Sequence, residues 1–281
     1  MSRFSTIRDI ASLTGYEFET ACREHTSYAY LGNNTGLCKI LTKYNIYVDT
    51  RDIGVAPHFI TDGFWETWLT QCLVNVVKEG DTCLDLGANL GYYSLLMSEL
   101  CGKTGKTIAV EPNPHICNLL RHSQSIHPFR FEVIEAAVSN KSGRTVLSVP
   151  ADYPGSASIT QRFHAGWKSS KIKVKMMTVD ELVMMMNLSK VDVIKIDVEG
   201  NEPSVFEGMQ KTIAGNPDIK IIIEYSPHLY PAAKPFTDYL FSQFKVYRIK
   251  DVEKMTLLDE SSIDVLVSLN DHTDLYLARN V

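Results

Sequence analysis

The chain has 281 residues, 44% of them hydrophobic and 22% charged, with a formal net charge of −5. This length suffices for one large α/β domain with a small N-terminal appendage, and a core of that size needs no disulfide staple. The acidic balance disfavours a nucleic-acid partner, no apolar run of about 18 residues is present to span a membrane, and the start Met1–Ser5 leads into no apolar leader segment, so a cytoplasmic protein is expected.

In chain order, residues 1–45 are weakly patterned, with a short helix expected near Ile7–Leu13. Tyr44–Asp49 alternates as a strand, and Arg51–Asp62 reads as a loop. Phe64–Lys78 carries one apolar face at helical spacing, with Asp62 as the expected cap and Gly80 as the stop. Trp65 and Trp68 are expected to anchor this helix and His58 to be a surface-loop histidine, the alternative being that His58, Trp65 and Glu66 line a lid. A regular alternation then begins: a strand at 82–86, a helix at 90–101, a strand at 107–111, and a helix capped by Asn113 and opened by Pro114. A third strand is predicted over Phe131–Val138 and a return strand over Arg144–Val149. Pro150–Ser170 forms a long loop of the kind that often carries function.

Lys171–Met177 is a strand with a lysine face. Thr178-Val179-Asp180-Glu181 fits a capping box, and Met184-Met185-Met186 is expected to pack in the core. Val191–Asp197 is a strand, Pro203–Ile213 a helix and Ile219–Glu224 a buried strand. One helix and two or three strands follow in 232–281, the last strand at Asp274–Ala278. Strands alternating with helices imply a doubly wound, mostly parallel sheet over 80–281, with 1–79 as an N-terminal extension. The six cysteines, at 22, 38, 72, 83, 101 and 117, are scattered without Cys-x-x-Cys. Cys72, Cys83 and Cys117 read as core thiols, and no His/Cys spacing fits zinc.

The chemistry concentrates at two strand ends. Asp85-Leu86-Gly87-Ala88-Asn89-Leu90-Gly91 leaves a buried strand through a small-residue turn, and Glu111 ends the next strand twenty residues after Gly91. A glycine-rich first turn followed by an acid is how such sheets hold an adenosine ribose. Gly-x-Asn-x-Gly is not the three-glycine dinucleotide fingerprint, and Asp85 would repel a pyrophosphate. It suits the ammonium and sulfonium of S-adenosylmethionine. The second cluster is Asp197-Val198-Glu199-Gly200-Asn201-Glu202, just beyond a strand that should open on the same crevice. A pair of acids there can act as general base or hold a cation.

Together with Val110-Glu111-Pro112-Asn113-Pro114 and Ala137-Val138-Ser139-Asn140, these segments resemble the FkbM family of S-adenosylmethionine-dependent methyltransferases. The resemblance covers about Asp81–Tyr225 and implies a class I methyltransferase (Rossmann-like) fold and O-methylation of hydroxyls on sugars or natural products. It implies that Asp85, Gly87, Asn89, Gly91 and Glu111 hold the cofactor, with Asn113 and Ala137 near ribose or adenine. Glu135 departs from the asparagine that relatives often carry. By position, Glu199 is the expected base and Asp197 the residue that orients acceptor or cofactor. No metal is assigned, although Asp197, Glu199 and Glu224 could together hold Mg²⁺. The expected partner is a small-molecule or glycan acceptor. A nicotinamide oxidoreductase and a non-catalytic adenosyl-binding module are the alternatives, and the sequence does not fix an oligomeric state.

Overall fold

A computed structural model describes residues 4–128, 131–160, 168–251 and 254–279. The start Met1–Arg3 and positions 161–167 of the long loop lie outside the described residues.

The N-terminal segment is more ordered than its pattern suggests. A 3-10 turn at Ile7–Ser12 leads to α1 (Gly15–His25) and an antiparallel meander of β1 (Ser27–Gly32), β2 (Thr35–Ile40) and β3 (Tyr44–Asp49). Thr14 caps α1, its hydroxyl accepting from Glu17 N at 3.2 Å while Glu17 returns a carboxylate to Thr14 N at 2.9 Å. β2 escaped the sequence reading because its inward positions are Gly36, Cys38 and Ile40 while Leu37 faces outward, so burial alternates but hydrophobicity does not.

The expected loop 51–62 holds α2 (Ala56–Thr61), and Asp52 accepts the amides of Gly54, Val55 and Ala56 leading into it. Asp62 does not cap the next helix. It ends α2 and accepts from Arg23 at 2.9 Å. α3 therefore starts later, at Thr67–Val76, with Glu66 as its N-cap in a left-handed conformation.

The doubly wound core follows: β4 (Thr82–Leu86), α4 (Tyr92–Cys101), β5 (Lys106–Glu111), α5 (Pro114–Ser125) and β6 (Glu132–Glu135). The predicted third strand breaks at Ala136. β7 (Ala137–Val138) leaves for a small sheet with β8 (Gly143–Pro150) and β9 (Ser169–Met177), in the order β7-β9-β8. Next come α6 (Val179–Met185), β10 (Val193–Ile196), α7 (Glu202–Glu207), α8 (Gln210–Gly215) and β11 (Lys220–Tyr225). The single helix expected over 203–213 is two helices. Asp180 of α6 accepts from Thr212 N at 2.7 Å and Lys211 N at 3.1 Å, giving α8 a cap from far along the chain. Thr178 caps α6, accepting from Glu181 N at 3.0 Å. Met184 and Met185 are exposed, and only Met186 of that trio packs against the core. The chain closes with α9 (Ala233–Gln243), β12 (Phe244–Asp251), β13 (Lys254–Leu257), α10 (Ile263–Val267) and β14 (Thr273–Arg279).

The main sheet runs β13-β12-β14-β11-β10-β4-β5-β6. β4, β5, β6, β10 and β11 are mutually parallel, and β14 inserts antiparallel beside β11. The chain winds one way from β4 to β6 and the other way from β10, so the crevice opens at the carboxyl ends of β4 and β10. The period of two divides the strands between two cores. Leu84, Leu86, Ile194, Ile196, Ile221 and Ile223 pack with α7 and α9, while Cys83, Val193 and Ile222 share a cluster with Phe18, Ile46, Phe59 and Leu95. The N-terminal segment thus packs into one of the two cores of the sheet. All six cysteines are free and buried. Among the described residues, no helix is long and apolar enough to cross a membrane.

The switch point depends on close backbone contact. A Cβ on Gly87 (φ +82°) would lie 1.7 Å from the Asp197 carbonyl oxygen, whereas one on Gly91 (φ +91°) would meet Leu120 Cδ1 at 2.2 Å. Leu120 can rotate and the strand carbonyl cannot. Each left-handed position alone disfavours a side chain by about 1 kcal/mol or more. Gly87→Ala should therefore lower unfolding stability more than Gly91→Ala, measured by urea denaturation of both. Equal losses would show that the contact yields cheaply.

Candidate active site

The turn after β4 is built by the neighbouring strand. Gly87 N and Ala88 N both donate to Val110 O, at 2.9 and 3.0 Å, and Asn89 takes a left-handed φ of 49°. This conformation points the Asn89 amide at Glu111, whose Oε2 accepts it at 3.0 Å while Oε1 accepts Asn113 N at 2.8 Å. Asn113 in turn caps α5, accepting from His115 N at 3.1 Å. Glu111 is thus a nearly buried carboxylate fixed by two amides, with lone pairs left over at the wall of a cleft.

That cleft is lined by Gly87, Asn89, Glu111, Pro112, Asp197, Val198, Glu199 and Glu224, and roofed by Trp65, Glu66, Tyr153 and Gly155. It continues on one side into an apolar slot formed by Val110, Ala136, Ala137, Val138 and Ile159. On the other side it reaches a recess bounded by Tyr92, Tyr93, Lys195 and Asp197. The sequence-predicted residues Gly87, Asn89, Glu111, Asp197 and Glu199 are therefore brought together, and Ala137 lines the adjoining slot. Asn113 stands behind Glu111.

Asp85 is wholly buried, one residue short of the end of β4, and Ser94 Oγ donates to it at 2.5 Å. Gly91 faces α5 and Phe131, so its neighbours are core side chains and not the cleft. Glu135 pairs with Arg121 at 3.1 Å on the surface. His58 is exposed, 3.2 Å from Asp62, as a surface histidine, and does not join Trp65 and Glu66 in lining the cleft. His115, half-exposed, bonds Asp49 at 2.7 Å.

The turn after β10 carries the second acid cluster. Glu199 sits at φ 56°. Its backbone oxygen accepts Ser158 Oγ at 2.7 Å, and Ser156 Oγ donates to Oε1 at 3.2 Å. The loop after β8 thereby closes over the turn. Glu202, fully buried, braces the same turn by accepting Val198 N at 2.9 Å and Gly200 N at 3.2 Å.

Burial dominates the electrostatics. It raises Glu199 well above the ordinary carboxylate range, with Asp197 adding to the effect. It lifts Glu111 and Glu202 from 4.5 to about 7, and Glu66, helped by Asp274, to about 8. Burial would push the Lys195 ammonium down, but Asp197, at 3.0 Å, and Asp85, its register partner on β4, outweigh it and keep it charged. The cleft is strongly acidic around one lysine. Among the described residues, no three carboxylate, histidine or cysteine side chains converge to hold a metal ion, so Asp197, Glu199 and Glu224 are not assembled as Mg²⁺ ligands.

Sequence reasoning missed three contributors to this site. Tyr153 and Gly155 belong to the long loop, where no residue pattern announces a roof. Lys195 lies inside an apolar strand, and its charge there is the signal that could have found it. Two acceptor atoms at the site are without donors: Asn89 Oδ1 in the cleft lining, and Asp85 Oδ1, buried in β4 beneath the turn. A ligand offering hydroxyls and positive charge to an acidic cleft, beside an apolar slot, fits this donor shortage, and S-adenosylmethionine has that chemistry.

The model of the FkbM methyltransferase domain matches residues 85–257. Hexuronic acid methyltransferase AglP of Haloferax volcanii is 24% identical over 57% of this chain and 67% of its own length. Protein-L-isoaspartate O-methyltransferase 2 of Archaeoglobus fulgidus is 32% identical over 28% of this chain and 35% of its own. Among solved structures, methyltransferase FkbM from Methylobacillus flagellatus matches 76% of this chain at 14% identity and a TM-score of 0.44, and the chain spans 56% of its length.

The raised carboxyls carry a pH dependence. A carboxyl whose pKa is higher folded than unfolded takes up a proton on folding, so its contribution is full below the unfolded value and is lost as pH rises through the folded one. For Glu111 and Glu202 the window runs from 4.5 to about 7, and for Glu66 it extends to about 8. The ligand-free protein should melt at lower temperature as pH rises across that window, with a shallower slope in Glu111→Gln. A melting temperature that climbs over the same range would contradict this assignment.

Proposed function

Because the chain belongs to the FkbM methyltransferase family, we propose that it transfers a methyl group from S-adenosylmethionine to a hydroxyl of a sugar or another small molecule. The observation that carries the reading is Glu111. It is a carboxylate at the end of the second core strand, held by Asn89 N and Asn113 N, and still lining the cleft. Such a group accepts hydrogen bonds from both ribose hydroxyls. The apolar slot beside Ala137 suits adenine, and Asp85, beneath the turn, favours a positively charged ligand. Gly87 and Gly91 keep the turn in shape, while Asn113 holds Glu111. The kinship with a hexuronic acid methyltransferase supports a sugar as acceptor.

When bound, S-adenosylmethionine supplies an electrophilic methyl group on a sulfonium. This chain's part is to line up the acceptor oxygen and remove its proton. Alignment of reacting groups can supply roughly 7–11 kcal/mol, and Trp65 and Tyr153 help by covering the cleft against water. Glu199 takes the acceptor proton. Burial beside Asp197 raises its pKa, which makes the ionised carboxylate a stronger base. Asp197, fixed by Lys195, orients the acceptor or the cofactor.

Glu111→Ala should weaken S-adenosylhomocysteine binding by about 1.5–3 kcal/mol, the value of hydrogen bonds to a charged group. Calorimetry showing undiminished affinity would remove the ribose assignment. Glu199→Gln keeps the shape and removes the basicity. It should lower kcat by about two to four orders of magnitude with cofactor affinity nearly intact, measured as methyl transfer to a panel of sugars. Near-normal turnover would move the base elsewhere, with Asp197 tested next.

A further inference from the structure

Glu66 enters the cleft from outside the sheet, at the junction between the N-terminal segment and α3. It holds φ 38° and ψ 80°, a conformation that suits glycine better than a side chain. Tyr93 OH donates to its Oε2 at 2.6 Å. Oε1 has no partner among the described residues, and Glu66 lines the cleft. The charged groups around it come from two sides: Asp197 and Lys195 from β10 and its exit, and Asp274 from β14, itself bonded to Trp68 Nε1 at 2.7 Å.

One lysine thus faces several carboxylates. The unpartnered Asn89 Oδ1, in the lining of the same cleft, shows independently that the cleft lacks donors. A half-buried carboxylate beside other carboxylates calls for a cation with several N–H groups, and the ammonium on the amino-acid end of S-adenosylmethionine has three. We propose that Glu66 receives this ammonium, so that the N-terminal segment completes the cofactor site. This rests on the reading that S-adenosylmethionine occupies the cleft.

The test is calorimetry of wild-type protein, E66Q and E66G with two ligands. S-adenosylhomocysteine has the amino-acid end, and 5′-methylthioadenosine keeps the adenosine and sulfur without it. E66G relaxes the left-handed backbone, so a loss it shares with E66Q does not come from a strained turn. The expected result is roughly tenfold or greater weakening of S-adenosylhomocysteine in both variants, with 5′-methylthioadenosine changed by about twofold or less. Wild-type affinity for S-adenosylhomocysteine in E66Q, or parallel loss of both ligands in both variants, overturns the proposal while leaving the cofactor reading intact. Wild-type protein that binds neither ligand overturns the cofactor reading and this proposal with it.

Discussion

The buried ammonium of Lys195 is the interaction on which the site depends. It lies 3.0 Å from Asp197, rests over the Tyr93 ring at 5.1 Å and has Asp85 as its register partner on β4. Tyr93 carries the connection to Glu66, and Ser94, next along α4, carries it to Asp85. One charge therefore links two sheet strands, the helix that starts at the turn and the N-terminal segment. Removing one partner from a buried ion pair typically costs about 3–5 kcal/mol, because the other is left charged and dry. Without this lysine, Asp85 and Asp197 would face each other across the switch point with no counter-charge between them.

The arrangement explains why the N-terminal segment is not an ornament on the sheet. α2, α3 and the meander share an apolar cluster with α4 and one face of the strands. Trp68 ties α3 to Asp274 of β14 at 2.7 Å. These contacts bring Trp65 and Glu66 over the cleft that the strand ends open. The loop after β8 closes the opposite side through Ser156 and Ser158. The cleft has one wall from the sheet and two from segments far away in the chain.

The distance between these segments sets how much the sequence could reveal. The turn at Asp85–Gly91, the acid at Glu111, the Asn113 cap and the acids at 197–202 were legible because each is a local pattern imposed by its own backbone. The N-terminal meander was not, since β2 turns glycine and cysteine inward and leucine outward. The split between α7 and α8 depends on Asp180, about thirty residues upstream, and the break after β6 on pairing with β9. Glu66 looked like part of a lid because its left-handed backbone and its bond to Tyr93 exist only in the folded chain. The resemblance puts Gly91 among the cofactor-holding residues, whereas the space beside it is taken by Leu120.

The six buried thiols have a consequence for how the molecule can be watched. Cys22, Cys38 and Cys72 lie in α1, the meander and α3, while Cys83, Cys101 and Cys117 lie in the strand and helices of the main sheet's core, all reduced and shielded. A thiol reagent in water can modify such a group only when its surroundings open. The native chain thus contains its own set of opening clocks, three in the appendage and three around the sheet. If the first three react ahead of the other three, the N-terminal segment breathes independently. If all six react at one rate, cleft and appendage come apart only as a single cooperative body.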